Sequence, residues 1–174
     1  MTEPQVLKLW DVIDNLFDEI LFRLAISTGI RREDIVKIKW RDVDIYHGTV
    51  TYYESKKSRT RAVPIGGTTV LALKKYIVYL DKDQVWLFPG KKKGQHLTGR
   101  TAYNKLQNHL RKAELPSRPF HALRATCVKL GQKRGWTIAQ MMELTGDTFR
   151  TLKEHYETPS DEEMKDVAKS HPIE

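Results

Sequence analysis

The sequence predicts an α+β domain that is mainly helical, with a small antiparallel β-sheet near residues 43–65. Three observations lead there. Apolar residues recur at three- and four-residue spacing through most of the chain, the period of amphipathic helices. Alternation with period two is confined to one stretch, around a His47-Gly48 turn signal. Nothing within the 174 residues reads as a linker, an internal repeat or a low-complexity tract, so one domain over 1–174 is expected.

The elements follow in order. Val6, Leu9, Trp10, Ile13, Leu16 and Phe17 form one stripe, which Ile20, Leu21, Leu24 and Ala25 continue. This is one bent helix or two short ones, starting near Thr2, with Pro4 in the first turn, where a missing N–H is harmless. Gly29 stops it. Arg32 to Trp40 gives a further helical turn or two, with Ile35, Val36 and Ile38 facing inward. Asp42 to Ile45, Thr49 to Tyr53 and Arg61 to Ile65 are short strands, the last two joined by the polar basic turn 55–60. Thr68 to Leu80 is an amphipathic helix on Val70, Leu71, Leu73, Tyr76, Ile77 and Leu80. Val85 to Phe88 is a short buried extended piece. Pro89 to Gly94 is a basic loop. A helix capped by Thr98 or Thr101 runs to about Ala113. Phe120 to Lys133, Thr137 to Leu144 and Thr148 to Tyr156 are helices, and Ser160 opens a last one to about Ala168. Trp136, Met141 and Met142 sit at core spacing.

Composition narrows the function. Thirty Lys and Arg against 22 Asp and Glu leave a formal net charge of +8. That points to an anionic partner, nucleic acid first, with an ordinary solvated basic surface as the alternative. A single cysteine, Cys127, excludes an intramolecular disulfide and leaves no cysteine-based metal site; it reads as a small buried hydrophobe. No apolar run approaches a membrane span, and the N-terminus lacks the basic and apolar regions of a signal peptide, so the chain reads as intracellular.

The chemistry-bearing residues are spread along the chain. Tyr156 is preceded by Arg31 in Thr28-Gly29-Ile30-Arg31, by Lys56 on the basic turn, and by His121 and Arg124 in His121-Ala122-Leu123-Arg124. A tyrosine among cations suits attack on a phosphodiester without a metal. Arginines neutralise the non-bridging oxygens, a lysine protonates the leaving oxygen, a histidine handles the tyrosine's proton, and the tyrosine becomes the covalent intermediate. His121 and Arg124, three residues apart, share a helix face.

In order and spacing these motifs resemble the catalytic domain of the tyrosine recombinases, the phage integrase and Xer-like family, over about residues 5–168. The resemblance implies that family's catalytic-domain fold and a DNA strand-exchange activity. Arg31, Lys56, His121, Arg124 and Tyr156 take the catalytic roles. Lys56, eight residues before Pro64, matches the family's hairpin lysine better than Lys57. Asp34 stands where the family usually has a glutamate that orients the first arginine. Asp147, nine residues before Tyr156, stands where the family usually has a histidine. An ionised aspartate there repels phosphate, so it is turned away onto a neighbouring basic residue, or protonated, or activity is reduced.

The resemblance further implies double-stranded DNA as partner, no cofactor and no metal, a tetramer on DNA and a monomer alone. Phosphate contacts are expected from Lys57 and Arg59 on the hairpin, Lys91, Lys92 and Lys93 on the loop, and Arg100 and Lys105 on the following helix, with Arg118 close by. The family's N-terminal core-binding domain is expected to be absent from this sequence, as in a fragment of a longer integrase or a minimal recombinase, and the last helix, about 160–168, is expected to serve as a tail toward a neighbouring subunit or to pack on its own domain. A type IB topoisomerase-like enzyme and a catalytically weak DNA-binding protein on the same scaffold are the alternatives.

Overall fold

The computed structural model describes residues 1–80, 83–153 and 161–170. The N-terminal stripe is two helices, α1 (Glu3–Asp11) and α2 (Leu16–Thr28). The Asn15 side chain caps α2 by accepting from Asp18 N–H. Helix α2 is the axis of the core. Ile20, Leu21, Phe22 and Leu24 are fully buried, because α2 is apolar nearly all round and has neighbours on several sides. It packs on α4 (Gly67–Tyr76) and α6 (Ala122–Lys133). Each large side chain removed from water there contributes about 1.5–3 kcal/mol.

Between α2 and α4 lie the short helix α3 (Arg32–Ile35), a 3-10 turn at Trp40–Asp42, and a three-stranded antiparallel sheet in the order β1 (Val43–Asp44), β2 (Thr49–Glu54), β3 (Arg59–Pro64). Ile35, Val36 and Ile38 are buried as expected. The register pairs Val50 with Val63 and Glu54 with Arg59. Period two therefore sends Val50, Tyr52 and Glu54 to the covered face of β2.

Helix α5 (Gly99–Lys112) is capped by Thr98, whose hydroxyl accepts from Thr101 N–H. After α6 come α7 (Ile138–Thr145), α8 (Phe149–Lys153) and α9 (Asp161–Ser170). Thr137 and Gln140 form a capping box at the start of α7. A buried Asp18–His109 pair, joined by the half-buried Lys105, fastens α2 to α5. Asp18 meets His109 Nε2 at 2.8 Å and Lys105 Nζ at 2.7 Å.

The structure corrects three local expectations. The segment 68–80 is α-helical only to Tyr76 and continues as a 3-10 turn over Ile77–Tyr79. Its buried face is Thr69, Ala72, Leu73 and Tyr76, at i, i+3, i+4 and i+7, so Leu71 and Ile77 face outward. The α6 helix begins at Ala122, two residues later than the apolar pattern suggests, because the chain enters it through a turn at Phe120 and His121. Trp136 follows Gly135, whose φ of 80° turns the chain outward; it is 41% exposed rather than core, while Met141 is fully buried.

Candidate active site

The chain reversal at Gly29 places the first arginine. Gly29 caps α2 in the left-handed region (φ 65°), and a Cβ there would meet Thr145 Cγ2 at 3.1 Å and Arg124 Cγ at 3.4 Å. Only glycine accepts both the conformation and the close approach. Arg31 follows as the extended residue that opens α3. Its guanidinium is held by two carboxylates. Nη1 donates to Glu54 Oε1 at 2.7 Å, and Nη2 donates to Asp147 Oδ1 at 3.2 Å.

The hairpin supplies the lysine. Strand β2 ends at Glu54, a 3-10 turn covers Ser55–Lys57, and Ser58 closes it at φ 47°. Lys56 rides on this turn, exposed. Below it, Glu54 is fully buried, with Arg59 Nε at 2.9 Å from its Oε2 and Arg61 Nε at 4.0 Å. Burial pushes the Glu54 carboxyl upward in pKa, but hydrogen bonds from Arg59 and Arg31 outweigh this and hold it below the usual range. Asp34 is buried and accepts Ser55 N–H at 3.2 Å. It steadies the turn, and the expectation that it orients Arg31 gives way to Glu54, which is on the strand directly facing that arginine.

His121 caps α6 and Arg124 lies in its first turn. Arg124 is 4% exposed. Its guanidinium donates to the carbonyls of Gly29 and Thr145, the latter at 2.8 Å. It also reaches Asp147 through Nε (3.0 Å) and Nη2 (2.6 Å). Gly146 caps α7 at φ 73° and turns the chain so that Asp147 points back at the arginines. Asp147 does bind basic residues, as expected, but they are the two arginines themselves. It bridges Arg31 and Arg124.

Arg31, Lys56, His121 and Arg124 all line one cleft of about 470 Å³, together with Asp34, Ser55, Tyr103 and Phe120. Four groups from three separate segments therefore meet. Tyr156 lies outside the described residues. The expected phosphate contacts divide. Lys91, Lys92, Lys93 and Arg100 are exposed. Lys57 donates to Gly146 O at 2.7 Å, satisfying a carbonyl at the end of α7. Arg59 pairs with Glu54, and Lys105 reaches into the α2–α5 interface to Asp18 instead of toward the cleft. Arg118 is half-buried beside the α5 residue Gln107, which donates to its carbonyl at 2.6 Å. The Cys127 thiol is buried and pushed up to about 12, as a core hydrophobe would be.

Two residues of this neighbourhood escaped the sequence reading. Glu54 was legible in principle, since alternation places it on the face of Val50 and Tyr52, and a carboxylate there needs a cation. Arg61 donates to Tyr52 Oη at 3.0 Å and to the carbonyl of Glu143, stapling β3 to the end of α7. No local signal marks that role, because the carbonyl it reaches on α7 is 82 residues away.

Residues 1–162 match the model of the phage integrase family. The tyrosine recombinase XerA of Pyrococcus furiosus is 26% identical over 171 residues, covering 96% of this chain and 59% of that protein. A crystal structure of XerA recombinase superposes with a TM-score of 0.80 at 18% identity, over 100% of this chain and 65% of that one. The Tn1549 transposon integrase, in complex with a circular intermediate DNA, gives 0.80 at 16% identity, over 98% and 65%. At these identities the structural likeness shows the fold. The chain spans about three fifths of the length of the relatives it matches.

Proposed function

The chain belongs to the phage integrase family of tyrosine recombinases, and from that premise we propose that it cuts and rejoins double-stranded DNA at specific sites. The phenolic oxygen of Tyr156 attacks the scissile phosphorus, and the bond to the 5′-oxygen breaks, leaving a 3′-phosphotyrosyl link and a 5′-hydroxyl. Arg31 and Arg124 stabilise the charge that builds on the non-bridging oxygens. Lys56 gives its proton to the leaving 5′-oxygen, and His121 assists as hydrogen-bond donor or acid/base. Attack by the 5′-hydroxyl of another strand releases the tyrosine and conserves the phosphodiester, so neither metal nor ATP is called for.

One observation carries this reading: Arg31, Lys56, His121 and Arg124, up to 93 positions apart in the sequence, border one cleft. Positioned cations are what a metal-free phosphoryl transfer needs. Assembly on DNA as a tetramer, from a protein that is monomeric alone, belongs to the same proposal, as does action inside the cell. In support of a docking tail, α9 exposes Met164 and Val167. Among the described residues no helix is long and apolar enough to cross a membrane.

A second reading is favoured by Asp147. A carboxylate between the two arginines fits a DNA-binding protein of weak activity on the same scaffold. A plasmid carrying two copies of a bound site separates the possibilities. Exchange between the sites supports a recombinase. Relaxation without exchange supports a topoisomerase-like enzyme, and binding with neither supports the weak DNA-binding protein.

A further inference from the structure

We propose that Glu54 is the positioning residue for Arg31: it fixes the guanidinium so that Nη2 faces Asp147 and the Arg124 guanidinium, and it locks Arg31 to the turn that carries Lys56. This deepens the reading of the cleft given above and rests on it.

The two carboxylates on Arg31 differ in kind. Asp147 stands on a chain reversal after α7 and is partly exposed, so an incoming anion can replace it. Glu54 belongs to a strand paired on both sides, is 0% exposed, and has each oxygen taken by a different arginine. It is not exchangeable. A guanidinium is a planar fork, so anchoring Nη1 on Glu54 Oε1 sets the direction of Nη2. That direction is toward Asp147 and Arg124, where an anion is already bound by both arginines.

Glu54 also lies two residues before Lys56, and Ser55 N–H between them is held by Asp34 of α3. The arginine and the lysine therefore sit on opposite ends of one short connection, anchored at its buried end by Glu54. Their spacing is fixed by Glu54 and Asp34, which hold the start of the exposed turn from its buried side. In the proposed chemistry one group handles the non-bridging oxygens and the other the leaving oxygen of the same phosphorus. A fixed spacing between them has direct catalytic value.

The test is Glu54→Gln, which keeps size and an acceptor but removes the charge. The first readout is the ¹⁵N guanidinium spectrum of the free protein. Arg31 is expected to show separate Nη1 and Nη2 signals in the wild type and merged signals in E54Q; unchanged separation overturns the proposal. The second is the rate of covalent adduct formation on nicked duplexes selected from a random pool by binding to the wild type, with a phosphodiester or a methylphosphonate at the scissile position. The methylphosphonate lacks one non-bridging charge and so depends less on Arg31. E54Q is expected to lose about a hundredfold on the phosphodiester and less than about tenfold on the methylphosphonate. Equal losses on both mark a merely structural role and overturn the proposal. If the wild type forms no adduct on any bound duplex, the recombinase reading fails, while the guanidinium spectrum still decides whether Glu54 fixes Arg31. If E54Q does not fold, E54Q/R59Q leaves the net charge of the site unchanged and is measured in its place.

Discussion

Asp147 Oδ1 lies 2.6 Å from Nη2 of Arg124, and the same oxygen accepts from Arg31 Nη2 at 3.2 Å. One carboxylate oxygen thus joins the two arginines that the proposed mechanism assigns to the scissile phosphate. An anion between them is stabilised by charge-assisted hydrogen bonds, and a DNA phosphate bound by both arginines, as proposed, would have to displace this one. Asp147→Asn is therefore expected to tighten DNA binding about tenfold at low salt and to steepen the salt dependence by about one phosphate contact. Fluorescence anisotropy against salt concentration checks this. Equal affinity and slope in the two proteins would mean that Asp147 does not compete with phosphate.

The two hairpin lysines are expected to separate by chemistry. Lys56 lines the cleft, whereas Lys57 is bonded to Gly146 O. Lys56→Ala is expected to lose about 10²–10⁴ in cleavage rate, as for a missing general acid. A 5′-bridging phosphorothiolate, whose leaving thiolate needs no proton, should restore it. Lys57→Ala should show no such rescue. Cleavage rates on the two substrates decide, and rescue of the Lys57 variant alone would reverse the assignment.

How much of this was legible in advance depends on the range of the interaction. The helical elements, the hairpin and the buried positions Leu9, Ile20, Leu21, Leu24 and Ile35 follow from period and punctuation alone. Arg31, Lys56, His121 and Arg124 were legible because each sits in a short motif. The outward turn of Leu71 was not, because Ala72 and Thr69 take the covered face and neither is strongly apolar. The pairing of Asp147 with two arginines, and of Lys105 with Asp18, depends on backbone paths that no local pattern encodes. Lys57 and Arg59 stand out in the sequence by charge alone; in the fold Lys57 ties the hairpin to the end of α7, and Arg59 pairs within the hairpin with Glu54.

Gly146→Ala is expected to disturb fold and site together. The residue has φ 73°, and a Cβ there would stand 2.6 Å from Arg61 Nη1 and 3.2 Å from Glu54 Oε1. The left-handed conformation alone costs about 1–2 kcal/mol for a residue with a side chain. Urea unfolding should show at least that loss. A variant as stable as the wild type would mean that the turn after α7 has room to shift.

Acid stability is expected to depend on Asp18. Burial raises its pKa, but hydrogen bonds from Lys105, His109 and Asn15 together bring it below the ordinary value. A carboxyl depressed in the folded state contributes stability above its unfolded pKa of about 3.9 and loses it as pH falls through the folded value. Asp18→Asn should thus be less stable by about 3 kcal/mol at neutral pH, since it leaves buried partners unpaired. The gap to wild type should narrow below about pH 4. Unfolding free energies at pH 7 and pH 3 check the sign; a gap that widens in acid would refute it.

The proposed function stands on tyrosine chemistry on DNA without a metal. Its most direct test uses a labelled, nicked duplex from a pool that the protein binds, incubated in EDTA with wild type and with Tyr156→Phe, and resolved on a denaturing gel. The expected result is a covalent protein–DNA adduct with the wild type and none with Y156F. An adduct that persists in Y156F, or no adduct on any member of the bound pool, would contradict the account.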